Sequence, residues 1–209
     1  SIAGRAGLCQ LGGWSMPDML RDSELGLVMA IPGLPARFDA DDRGRRIDQL
    51  RDALEALEGF VEDARYYADA KGTESDVVVD VRLEAMIPYV TADKPVFFRA
   101  NSYKQIPEAI RFAETFNLDP VIVGGGDAWK CAELLAPRDP MDPFDAFYAN
   151  PAKLEAAGVD FCIATDGSGY ARRLPLHAGM AVAHGLSPEK AISSITLDAA
   201  DILRVDYEL

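Results

Sequence analysis

The stretch that most constrains this chain spans positions 158–203, GVDFCIATDGSGYARRLPLHAGMAVAHGLSPEKAISSITLDAADIL. It opens on an apolar run, 159–165, of a length that fits a buried strand. The run stops at Asp166, and Gly-Ser-Gly follows at once. Helix signals come next. Pro175 marks a start and Gly185 lies just past an end, while Ser187-Pro188 reads as an N-cap with proline at the first helical position. Thr196 reads as the cap of a last short helix ending near Leu203. A carboxylate at the end of a strand, leading into a glycine-rich loop and a helix, is where barrels of alternating strands and helices place their chemistry. The same aspartate also reads as a turn residue capping its loop.

Upstream, strands and helices alternate. Strands are expected at 25–31, 95–99 and 120–124, besides 159–165. Residues 1–20, with glycine at 4, 7, 12 and 13, read as irregular loop with one extended piece around 8–11. Ile47, Leu50, Leu54, Leu57, Val61, Ala64 and Ala68 recur at spacings of three and four, so a long helix is expected, ended by Gly72. Residues 77–79 read as an extended connector and 82–87 as a short helix before Pro88. After the strand KPVFFRAN, the residues Ile106, Ile110, Ala113 and Phe116 define one helix face, which Asn117 ends. The strand at 120–124 runs into Gly124-Gly125-Gly126, with Asp127 as N-cap of AWKCAELL. Residues 136–149, rich in proline and aspartate, read as loop, and Asn150-Pro151 as the cap of a helix ending at Gly158. Strands alternating with helices imply parallel pairing and an α/β fold.

These segments carry a resemblance. The run ATDGSGYARRLPLHAGMAVAHGLSPEKAISSITLDAADIL resembles the last barrel strand and following helices of the amidohydrolase superfamily, in its imidazolonepropionase-like branch. Asp142-Pro143-Phe144-Asp145 and Asn150-Pro151-Ala152-Lys153-Leu154 resemble a further segment of those enzymes. Gly13-Trp14 matches a pair that often precedes a strand there, though a buried loop tryptophan explains it equally. The resemblance spans nearly the whole chain and is strongest from 94 to 203. It implies an α/β fold, a partial or shortened (β/α) TIM-type barrel, with residues 1–209 forming one incomplete barrel domain. An eight-stranded barrel typically takes ~250 residues, and the chain has 209. One strand expected before the DPFD segment is missing, as are the first barrel strands. Opening on Ser1, the chain reads as processed or as a fragment, with a lost targeting segment left open.

The activity implied is hydrolysis of carbon–nitrogen bonds, other than peptide bonds, in a small molecule. The cofactor implied is a divalent metal, zinc, with Asp166 as a ligand and as the group that handles the proton of the attacking water. The family's His-x-His is missing. Arg99 stands where the resemblance places a metal-binding histidine, and a permanent cation repels a metal. Tight zinc binding by this chain is therefore not expected. Arg99 suits a carboxylate, either a substrate's or that of Asp166. Asn101 shares its strand direction and is a candidate for substrate binding. So is Gly125, because a glycine-rich loop before a helix can offer N–H groups to an anion. A tight turn is the plainer reading of that loop. His177 and His184 are seven residues apart on one helix, two turns too far to chelate one ion, and read as ordinary helix residues. The second functional reading is a catalytically degenerate barrel that binds a small anion through Arg99, Asn101 and the 124–126 loop.

Composition narrows the partners. A net charge of −13 argues against nucleic acid, whose phosphates need a basic face. No apolar run reaches the ~18 residues of a membrane span. Three cysteines, Cys9, Cys131 and Cys162, are too dispersed for a disulfide framework or a zinc motif. Cys162 reads as a buried small hydrophobe. The open edges of a partial barrel favour self-association, so a homo-oligomer is allowed for.

Overall fold

The computed structural model describes residues 1–10, 12–31, 43–73, 77–131, 145–165 and 168–205. They form two compact units. One comprises residues 1–100 and 107–124, the other residues 101–106 and 125–209.

The first unit is built on a four-stranded sheet of order β1-β2-β3-β4. β1 (Ile2–Cys9) is antiparallel to β2 (Leu20–Ala30). β2 is parallel to β3 (Val96–Ala100), which is parallel to β4 (Pro120–Gly124). The sheet is open, and in these residues it does not close into a barrel. β3 is buried on both faces except at Arg99, as expected of a strand inside a parallel sheet. β4 is largely exposed, as suits an edge. Gly26 has no alternative: an added Cβ would come within 2.3 Å of the Phe97 ring and 2.7 Å of the Pro95 carbonyl oxygen. The close β2–β3 contact therefore depends on a residue without a side chain.

Helices cover this sheet. α1 (Met16–Met19) is a single turn between β1 and β2. α2 (Arg43–Thr73) has 31 residues. Its buried face is Leu57, Val61, Ala64 and Tyr67, whereas Ile47, expected on the same stripe, is exposed. Among the described residues its fully buried positions begin at Leu57, while Leu50 and Leu54 are half-buried. α3 (Val81–Glu84) follows the connector, N-capped by the Asp80 carboxylate on the N–H groups of Arg82 and Leu83. α4 (Ile87–Val90) starts with Pro88 in its first turn, so that proline opens a helix rather than ending one. The Glu84 carboxylate ties α3 to α2 by accepting from the Tyr67 hydroxyl at 2.8 Å and pairing with Lys71. α5 (Gln105–Thr115) buries Ile106, Ala109, Phe112 and Ala113, and leaves Ile110 39% exposed, so its inward face is rotated from the expected one. Phe112 meets Phe98 edge-on at 6.1 Å and Phe116 at 4.7 Å. Asn117 does end the helix. It takes φ of 47°, and the Leu118 N–H returns to the Ala113 carbonyl at 2.9 Å.

The second unit is helical. α6 (Ala128–Cys131) follows the glycine loop. α7 (Ala146–Ala156) contains Asn150 and Pro151 rather than being capped by them, and its N-cap is Asp145. A 3-10 helix spans Ser168–Arg173, before α8 (Leu174–Ala183), α9 (Pro188–Ser193) and α10 (Leu197–Ile202). Pro175 and Gly185, with φ of 105°, bound α8 as expected. Ser187 caps α9 by accepting from the Lys190 N–H. Thr196 does not cap α10 through its side chain; its hydroxyl donates back to the Ile192 carbonyl at 2.8 Å.

Two strand expectations are overturned. Residues 2–9, read as mostly loop, form β1, whose irregular register lets Gly4, at φ of 131°, lie within a strand. Residues 159–165 form no strand. Among the described residues none offers them a ladder; Val159 N–H reaches Leu154 and Ile163 N–H reaches Ser194. Their apolar side chains are used differently, Phe161 and Ile163 packing on Ala178, Ala181, Leu186 and Ala191. Hydrophobic burial holds the segment without strand pairing. Trp14 is fully exposed rather than buried. Residues 32–42 and 136–144 lie outside the described residues.

Candidate functional site

Of the residues singled out in the sequence, Asn101 and Gly125 fall in the second unit, Arg99 in the first, and Asp166 outside the described residues. Arg99 is the one exposed position of β3 and sits in register between Ala30 and Val123. Among the described residues its guanidinium has no carboxylate partner.

In the second unit the segments 101–106 and 125–131 are laced together. These two segments directly follow β3 and β4, the carboxyl ends at which parallel strands deliver functional loops. The Gln105 side-chain oxygen accepts from the N–H groups of Asn101 and Ser102, both at 3.3 Å, and from the Ser102 hydroxyl at 3.2 Å. The Asn101 carbonyl accepts from the Asp127 N–H at 3.0 Å. The Asp127 carboxylate accepts from the Tyr103 N–H at 3.3 Å. Gly125 takes φ of 61°, and its carbonyl accepts from Ala128 N–H at 2.9 Å and from the Asn150 side-chain amide at 3.1 Å. The Asp127 carboxylate thus ties two loops together, and Gly125 engages its neighbours through its carbonyl. The tight-turn reading of the glycine loop is the one this bonding supports. Cys131 borders the loops, with burial, then Asp127, raising its thiol pKa.

Gln105 and Asn150 carry this arrangement. Asn150 has a signal in the NPAKL segment, where the sequence suggests a helix cap. Gln105 has none, since a glutamine at a helix start is ordinary.

A second polar cluster lies between α7, α9 and α10. Ser187 donates its hydroxyl to Glu155 at 2.5 Å and its N–H at 3.2 Å. These bonds hold the Glu155 carboxyl below its usual pKa. Lys190 stands 2.9 Å from Asp198 Oδ2, with both side chains about three-quarters buried. That oxygen is sealed from solvent and off the line of a hydrogen bond, so the ion pair is its compensation. Burial raises the Asp198 pKa, but the nearby Ser193 and the Lys190 ammonium outweigh it and the net direction is down. Burial first and Asp198 second raise the Cys162 pKa, and the residue is half-buried rather than fully buried as its sequence suggests.

No group of three or more His, Cys, Asp or Glu side chains among the described residues is arranged to hold a metal ion. His177 is exposed on α8, and His184 follows that helix, with Nδ1 2.8 Å from the Met180 carbonyl and its ring stacked on Tyr148. No helix among them is long and apolar enough to cross a membrane.

The fold and these loops define an α/β protein whose parallel strands feed polar loops at their carboxyl ends. Among solved structures the chain is similar to an amidohydrolase from Thermotoga maritima MSB8, with a TM-score of 0.77 and 19% identity over 98% of this chain. The chain spans 58% of that neighbour's length. No family model and no curated protein matches it. The likeness shows an amidohydrolase-like fold.

Proposed function

We propose that this chain is part of an amidohydrolase of the imidazolonepropionase-like branch, acting on carbon–nitrogen bonds, other than peptide bonds, of a small molecule. The open sheet then belongs to a (β/α) TIM-type barrel, and residues 1–209 to one barrel domain. The observation that carries the reading is the likeness of fold along 98% of the chain to an amidohydrolase. A fold admits many chemistries, so the reaction rests on Asp166. Asp166, which follows an apolar run and leads into Gly-Ser-Gly in the sequence, would take a proton from water and return it to the leaving nitrogen. Arg99 and Asn101, at the end of β3 and just beyond it, are the candidates to orient an anionic or carbonyl group of the substrate, with the Gly125 loop beside Asn101. Zinc would supply an activated water in such an enzyme, with Asp166 as the ligand this chain offers.

One observation favours the second reading, a degenerate barrel that binds a small anion without turnover. Arg99 is exposed and lacks a carboxylate partner among the described residues. The two readings separate in one experiment. The protein, with and without added zinc, is assayed on a panel of cyclic amides and N-acyl compounds, beside Asp166→Asn and Arg99→Gln. Turnover lost in Asp166→Asn supports the hydrolase. Saturable binding of a small dicarboxylate lost in Arg99→Gln, with no turnover, supports the anion-binding reading.

A further inference from the structure

A cleft of about 220 Å³ opens in the first unit between the β1–β2 pair, α2 and the α3–α4 segment. Ile2, Leu27, Phe60 and Met86 give it apolar walls. Three polar side chains, Arg5, Arg82 and Tyr89, also line it. Tyr89 is 2% exposed, and its hydroxyl has no hydrogen-bond partner among the described residues. The hydroxyl is not sealed from solvent, and Tyr89 is among the residues that line the cleft. Burial, then the Glu24 carboxylate, raises its pKa, so it stays a neutral donor.

The two guanidiniums add charge. Arg5 pairs with Glu24 through one nitrogen, and Arg82 with Asp80 through one nitrogen at 3.2 Å. Each guanidinium has five N–H donors, so each retains donors for a second acceptor. Apolar walls with a few convergent donors are the usual make-up of a small-molecule site, and this volume is below the range for drug-sized ligands.

We propose that this cleft binds a small apolar monocarboxylate, its chain against Ile2, Leu27, Phe60 and Met86 and its carboxylate on the Tyr89 hydroxyl and the Arg5 and Arg82 guanidiniums. The site uses residues of the first unit alone and stands independently of the hydrolase reading. A neutral alcohol of the same chain length fills the same walls but forgoes the charged bonds.

The test is isothermal titration of octanoate and of 1-octanol into the wild-type chain, Tyr89→Phe and Arg82→Gln. Octanoate is expected to bind saturably and at least fivefold tighter than octanol. Tyr89→Phe is expected to weaken octanoate about tenfold, the loss of one hydrogen bond to a charged group. Arg82→Gln is expected to weaken octanoate at least threefold and to leave octanol unchanged. The Arg82 side chain is 79% exposed, so this variant keeps the test decisive should Tyr89→Phe fold poorly. Octanoate binding no tighter than octanol, no saturable binding at millimolar concentration, or folded variants without effect would overturn the proposal.

Discussion

The side-chain amide of Asn150 donates to the carbonyl of Gly125 at 3.1 Å, joining α7 to the glycine loop that follows β4. A residue inside a helix thus holds a turn 25 positions away in sequence. Replacing it removes the donor and leaves the half-buried Gly125 carbonyl with Ala128 as its remaining partner.

Asn150→Ala is expected to lower stability by about 1 kcal/mol, the net worth of such a bond, offset in part by the better helix propensity of alanine. Asn150→Asp sets an acceptor against the carbonyl and is expected to cost more. Urea unfolding of both variants checks the order. Equal midpoints for wild type and Asn150→Ala would show that the bond does not hold the loop.

Gly26→Ala is expected to destabilise by about 1–3 kcal/mol, the range for overpacking a close-packed core. The added carbon has to displace the Phe97 ring and also meets the Pro95 carbonyl oxygen. A thermal melt within a degree of wild type would show that β2 and β3 can separate at little cost.

The Glu155–Ser187 bonds make stability depend on pH. Because the folded pKa of Glu155 is lowered, first by the Ser187 hydroxyl and then by its N–H, its contribution is present above the unfolded carboxylate value. That contribution is lost as pH falls through the folded value. The stability gap between wild type and Glu155→Gln is therefore expected to be full near neutral pH and to close in acid. Ser187→Ala removes the bonds and also the cap on α9, costing about 1 kcal/mol for the cap alone. A gap that grows as pH falls would contradict this account.

Two ion pairs with different burial are expected to behave differently. Lys190→Met leaves Asp198 Oδ2 buried without a countercharge and should cost about 1–3 kcal/mol. The Arg51–Asp48 pair has both side chains 62% exposed, and Arg51→Met should cost under about 0.5 kcal/mol. Chemical unfolding of the two variants side by side checks the ranking; equal losses would mean that Asp198 is better hydrated than its burial implies.

Much of this architecture was legible in the residues. The apolar runs at 25–31, 95–99 and 120–124 reported the parallel strands β2, β3 and β4, of which β3 is buried and β4 is a largely exposed edge. Pro175, Gly185 and Ser187 reported helix ends because those signals are local. What failed was non-local. Whether 159–165 becomes a strand depends on a neighbour, and the apolar content of Phe161 and Ile163 is satisfied equally by helices α8 and α9. β1 was hidden because four glycines in its neighbourhood read as loop, while pairing with β2 overrides that propensity. In the candidate site, Gly125 showed as a turn residue and Asp127 as a helix N-cap, yet their partners Asn150 and Tyr103 are fixed only by the tertiary fold. Tyr89 carried no signal at all, since an aromatic in a short apolar helix looks like core until its unpartnered hydroxyl is seen.

The central claim is that this amidohydrolase-like fold carries hydrolytic chemistry centred on Asp166. The most direct measurement is turnover of a cyclic-amide panel by the zinc-supplemented protein and by Asp166→Asn, with both confirmed folded by circular dichroism. The account predicts ring opening by the wild type and a loss of at least a hundredfold in the variant, the scale of general acid–base catalysis. Turnover that survives in Asp166→Asn, or none by the wild type on any member of the panel, would contradict it.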